Sequence, residues 1–153
     1  MVSPPSPNFS LQITGGNSLN KGIDEQKSYS FGLNMNANIS GYFMLTPSFN
    51  YIKTDTNGQV TENLTGFISY YLTLIPKGFA ISGTSSYSQT KTPDGTSDTR
   101  TLMVSSKASL LLSWIWSRFG QSAISVEGQF SLNKFGETSS TDWKVMASAE
   151  ISF

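Results

Sequence analysis

Trp143-Lys144-Val145-Met146-Ala147-Ser148-Ala149-Glu150-Ile151-Ser152-Phe153 is the stretch that decides how this chain folds. Its odd positions are Trp143, Val145, Ala147, Ala149, Ile151 and Phe153, all apolar. Its even positions Lys144, Ser148, Glu150 and Ser152 are polar, with Met146 as the exception. A period of two puts alternate side chains on opposite faces of an extended backbone, so the stretch reads as a β-strand with one apolar and one polar face.

The same alternation recurs through the rest of the chain. Residues 2–7 are rich in Pro and Ser and are expected to form an extended tail over residues 1–7, without the basic and apolar regions of a secretory leader. A first run holds Phe9, Leu11 and Ile13 on one parity, and a polar loop is expected from Gly16 to Lys27. The second run, Tyr29 to Ser40, alternates throughout and ends at Gly41. The third carries Phe43, Leu45, Pro47, Phe49 and Tyr51 on one face. Pro47 has no N–H, so a bulge or a local opening is expected there. A loop with the Asn57-Gly58 turn signal precedes the fourth run, which groups Leu64, Gly66, Ile68, Tyr70, Leu72 and Leu74. Pro76-Lys77-Gly78 separates it from a fifth run with Phe79, Ile81, Gly83 and Tyr87. After the Pro93-Asp94-Gly95 loop, the sixth run spans Leu102 to Trp114, and a turn is expected over Trp116–Gln121. The seventh holds Ile124, Val126, Gly128, Phe130 and Leu132, and a loop over Phe135–Asp142 leads to the last strand.

These runs predict an all-β domain over residues 8–153, an eight-stranded antiparallel up-and-down meander. Longer loops are expected after the first, third, fifth and seventh strands, and tight turns after the second, fourth and sixth. Most strands reach the roughly 9–11 residues that cross a bilayer when tilted.

Composition bears on which face meets which solvent. Among 153 residues only 13% are charged, against the roughly 25% usual in soluble domains. Aromatics make up 12% and the net charge is zero, which argues against disorder and against a nucleic-acid partner. A soluble barrel buries its apolar face, whereas a membrane barrel turns it to lipid. The aromatic residues on the apolar parity fall at both ends of the strands. Tyr29, Tyr51, Tyr87 and Trp143 lie at the loop end, and Phe9, Phe43, Phe79, Trp114 and Phe153 at the turn end. Such paired rings are favoured at membrane–water interfaces. The polar parity is rich in Ser, Thr and Asn rather than Lys and Glu, which suits an enclosed wet surface.

On these residues the chain resembles the small bacterial outer-membrane β-barrels of the OmpA/OmpX type. The terminal strand carries the resemblance: those proteins commonly end in alternating apolar residues and a final Phe, matched here by Ile151 and Phe153. Ser148 stands where that pattern usually has Gly, and Met146 where it has a polar residue. The resemblance implies residence in the bacterial outer membrane, contact with its lipid, delivery by the barrel-assembly machinery, periplasmic termini and extracellular loops.

The polar parity carries few charges, and pairing the last two strands is expected to bring Glu127 near Glu150, with Lys107 beside them. Two buried carboxylates require a shared proton or a cation, so this lumen cluster reads as a structural network first and as a gate or ion site second. The chain has no His and no Cys. The barrel enzymes this architecture resembles have His in their catalytic sites, so no catalytic residue, cofactor or metal site is expected. The loop acids Asp24, Glu25, Asp94, Asp98, Glu137 and Asp142 lack the spacing of a Ca²⁺ loop. The expected function is a non-enzymatic membrane anchor, stabiliser or surface-interaction scaffold. The alternatives are a small-solute, porin-like pore or part of a larger barrel, and a soluble lipocalin-like carrier with its apolar face inward. The oligomeric state is left open.

Overall fold

A computed structural model describes residues 7–22, 25–39, 42–115 and 122–151 of the chain. Of the sequence-based expectations, the tail over residues 1–6, Asp24, the turn at Gly41, the turn over 116–121 and the terminal Phe153 lie outside the described residues. So does the side chain of Trp114.

Eight strands form one sheet: β1 (Asn8–Lys21), β2 (Glu25–Ile39), β3 (Phe43–Thr56), β4 (Gln59–Ile75), β5 (Phe79–Lys91), β6 (Thr99–Leu111), β7 (Ala123–Phe135) and β8 (Thr138–Glu150). Their spatial order is their chain order, and every neighbouring pair is antiparallel. The meander expected from the alternation is therefore present, and no α-helix occurs among the described residues.

The connections differ from expectation. Most of the polar stretch Gly16–Lys27 is strand rather than loop, because β1 and β2 pair all the way from Asn8↔Asn38 to Lys21↔Glu25. Polar side chains are compatible with strand where both faces meet solvent, and the ladder is satisfied by the backbone. Two expected loops collapse to two-residue turns. Thr56 pairs with Gln59 around Asn57-Gly58, and Phe135 with Thr138 around Gly136-Glu137. Asn57 and Gly58 both take positive φ (53° and 82°), the backbone twist that matches a tight hairpin. Asp55 Oδ1 accepts from the Gly58 N–H at 2.9 Å and braces that turn. The longest connection instead joins β6 to β7 at the supposedly tight end. There the sixth run stops at Leu111, and Leu112–Trp114 turn in a 3-10 helix whose first N–H donates to the Ser122 carbonyl at 2.9 Å.

At Pro47 the backbone opens without slipping. The β2–β3 ladder runs from Asn34↔Ser48 straight to Ala37↔Leu45, omitting the two positions opposite Pro47 and Thr46, and the register on either side is unchanged. On its other edge Pro47 still faces Ile68. The ring therefore costs pairing toward β2 alone, where its missing N–H would have donated. The bulge in the sheet lies elsewhere, between Thr73 and Ile75.

The sheet does not close into the expected barrel. β1 and β8 are its two edges, and substantial contact is confined to strands adjacent in sequence. Among the described residues nothing packs across either face. Among the described residues Ala37 is the one buried apolar side chain, and the buried polar ones are Ser122 and Ser125. The chain exposes 10818 Å² of surface, against about 7,600 Å² for a compact monomer of its 16.7 kDa mass. A sheet with two open faces and two open edges has little hydrophobic stabilisation of its own in water.

Candidate functional site

Because side chains alternate strictly, the register sorts every residue onto one of two faces. A line drawn along the hydrogen-bond direction runs Ile13, Leu33, Phe49, Gly66, Tyr87, Leu102, Leu132 and Thr141, one residue per strand. All eight share the apolar face.

Moving from this line toward the β1–β2 hairpin end, the first charged residue on the apolar face comes at a shrinking distance. Lys21 lies eight residues beyond the line on β1 and Lys27 six on β2. Lys53, Glu62 and Lys91 lie four beyond it on β3, β4 and β5. Arg100 and Lys134 lie two beyond it on β6 and β7. The charged border thus drifts six residues over six strand-to-strand steps. Between this border and the opposite strand ends, the apolar face carries no charge on any described strand.

The aromatic residues expected at the two ends follow the same diagonal, while Phe31, Phe49, Tyr70 and Phe130 lie between them on the same face. Tyr29 lies four residues from the line on β2, Tyr51 two on β3, Tyr87 on the line in β5, and Trp143 two residues past it on β8. At the other end Phe9, Phe43 and Phe79 lie four, six and eight residues away on β1, β3 and β5. A drift of one residue per strand, with a rise of about 3.3 Å and a strand spacing of about 4.8 Å, corresponds to a border inclined about 35° to the hydrogen-bond direction. On β3 the uncharged span from Phe43 to Lys53 is then about 27 Å deep perpendicular to that border.

Ion pairs stitch the charged border. Glu62 meets Lys53 at 3.9 Å and Lys91 at 3.8 Å, linking three strands, and Lys27 meets Glu25 at 3.1 Å. These pairs are solvent-exposed and contribute little to stability. Within the apolar band the Tyr70 hydroxyl crosses Gly83 to reach Ser106 Oγ at 2.8 Å. A Cβ on Gly83 would sit 2.6 Å from the Tyr70 ring, so the glycine makes room for that crossing.

The other face carries mostly small polar side chains, interrupted by Met44, Ile52, Phe67, Tyr71, Met103 and Phe135. Cross-strand hydroxyl and amide pairs tie it together, with Ser18–Ser28 at 2.6 Å, Thr90–Asn63 at 2.8 Å and Ser125–Ser148 at 2.8 Å. On β1 to β5 this face has no charge at all; Lys107, Glu127, Asp142, Lys144 and Glu150 are gathered on β6 to β8. Lys107 stands directly opposite Glu127, whose Oε1 accepts from Gln129 Nε2 at 2.8 Å. Glu150 is not their neighbour. The tight Gly136-Glu137 turn sets Glu127 opposite Met146 and Glu150 opposite Ala123, so the expected carboxylate pair does not form. Ile151 is exposed at the end of β8.

The charged border was the feature sequence reasoning missed. Its signal was available, since Lys27, Lys53, Glu62, Lys91, Arg100 and Lys134 break the apolar parity at one end only. Among the described residues no three acidic side chains come together in a metal-holding group. In the β5–β6 loop the Asp94 carboxylate accepts from the hydroxyls of Thr96 and Thr92, which hold its pKa below the usual carboxylate range. Comparison with family models, curated proteins and solved structures finds no match, so the residues themselves carry the functional reading.

Proposed function

We propose that this chain is a membrane-spanning wall of a bacterial outer-membrane β-barrel, with its apolar face against lipid and its Ser/Thr/Asn face lining a hydrated, porin-like lumen. The observation that carries the reading is the oblique uncharged band. Strands of membrane barrels tilt about 35–45° from the barrel axis, and their outer apolar belt is about 25 Å tall between aromatic girdles. A flat membrane boundary cutting across tilted strands must move along the sequence by a fixed step per strand. The Lys21-to-Lys134 border and the Tyr29-to-Trp143 row each move six residues over six strand steps, an average of one residue per strand.

The openness of the sheet favours a segment of a larger barrel over a filled eight-stranded anchor. Delivery by the barrel-assembly machinery through the terminal segment with Ile151 and Phe153 belongs to the same proposal. The chemistry offered by the lumen face is hydrogen bonding and a few charges on β6 to β8, suited to passage of small polar solutes rather than to catalysis.

The test uses a fluorophore attached at Ile68→Cys in one sample and at Ser69→Cys in another, in vesicles containing brominated lipid. Stronger quenching at position 68 is expected. Equal quenching, or stronger quenching at 69, rejects the orientation.

A further inference from the structure

We propose that the two open edges of the sheet are joined by a second copy of this chain, β8 of each copy pairing with β1 of the other to close a two-fold barrel of sixteen strands. The proposal rests on the membrane reading, because a bilayer core leaves unpaired backbone N–H and C=O groups no water to bond.

β1 is exposed on both faces along its whole length, and β8 at every position but Met146. An up-and-down sheet of eight strands leaves its first and last strands running in opposite directions. β1 of a second copy can therefore follow β8 as a ninth antiparallel strand, and the two-fold operation supplies the same joint on the other side. Head-to-tail contacts of this kind form rings when the rotation closes. Within one chain the curvature falls short of bringing β1 and β8 together. Two copies share the closure over twice as many strands, which halves the curvature each must supply.

The drift of the charged border fixes the register of the joint. Continued by one residue for each of the eight steps from β1 to the ninth strand, it sets Lys21 of the second copy opposite Thr141. Leu19 then meets Trp143, Ile13 meets Ala149, and Thr14 meets Ser148. An even offset keeps the apolar residues of both strands on one face and the polar ones on the other. Ten residue pairs form at each joint, from Gln12 to Lys21 against Thr141 to Glu150.

The chain contains no cysteine, so introduced thiols report without background. Thr14→Cys and Ser148→Cys chains are prepared separately, refolded together in detergent and oxidised. Directly opposed positions bring Cβ atoms within disulfide reach. A doubling of apparent mass that is lost on reduction is expected in the mixture, and neither variant alone should give it. Gly16→Cys mixed with Met146→Cys should behave likewise, whereas Thr14→Cys mixed with Lys144→Cys should not. Cross-linking within single chains of a Thr14→Cys/Ser148→Cys double variant overturns the proposal in favour of closure by the chain's own β1. Absence of any cross-link in both matched pairs also overturns it. Brominated-lipid quenching of the fluorophore on an Ile68→Cys chain, refolded separately in the same way, separates the outcomes. Retained quenching means that only the joint is wrong, and lost quenching means that the membrane reading itself has failed.

Discussion

Ile68 offers the sharpest test of what the apolar face is for. On β4 it lies six residues from Glu62 at the charged border and six from Leu74 at the far end of the band, so it sits at mid-depth. It is 45% exposed and lies on the apolar face of the sheet. In water, replacing such a side chain by Arg removes no core contact and changes stability by about 0.5 kcal/mol or less. On the lipid face of a barrel, an Arg at the midplane costs about 2–4 kcal/mol, falling to about 0–1 kcal/mol near the interface. Ile68→Arg is therefore expected to lower the folding equilibrium constant roughly 30- to 1,000-fold in a bilayer. Leu64→Arg, two residues from Glu62, should cost about 1 kcal/mol or less, and Ser69→Arg, on the opposite face, should escape the lipid penalty. The assay is reversible denaturant unfolding in phospholipid vesicles, followed by tryptophan fluorescence. If Ile68→Arg costs no more than Leu64→Arg, the band is not a membrane belt. If Ser69→Arg costs more than Ile68→Arg, the faces are inverted.

Further outcomes follow from other parts of the sheet. Gly83→Ala drives a Cβ into the Tyr70 ring and should destabilise by about 1–3 kcal/mol. A Tyr70→Leu background should relieve part of that cost, so strict additivity in a double-mutant cycle would reject the packing account. The Asp94 carboxyl, held by Thr92 and Thr96, should titrate below the range of an ordinary Asp. The order it gives the β5–β6 loop should be full above the unfolded-state value and be lost as pH falls through the lowered one. Thr96→Val should move that midpoint upward in an NMR titration. In planar bilayers the inserted protein should give steady, salt-dependent conductance steps whose ion selectivity shifts in Glu127→Gln. Silence from inserted protein would return the filled, scaffold-like barrel to first place.

The alternating pattern in the sequence determined the strands, their antiparallel meander and the membership of each face, because the direction of a Cβ along extended backbone is a local property. Leu102, Val104, Ala108 and Leu110 share a face with Leu132 and Val126 whichever exact partner each meets. The tertiary structure alone decided how far each strand slides along the next. Placing Glu127 beside Glu150 instead of Met146 is a slip of four residues, and an even slip leaves every side chain on its own face, so alternation is blind to it. The two-residue turn at Gly136-Glu137 chose the register, and a turn's length cannot be read from polar residues that are equally content in a solvated ladder, as Gly16–Lys27 demonstrate. Two consequences of register were out of the sequence's reach for the same reason. The diagonal course of the charged border emerges only when the offsets of seven strand pairs are accumulated. The failure of β1 to meet β8 depends on curvature summed over the whole sheet, to which no single stretch of residues corresponds.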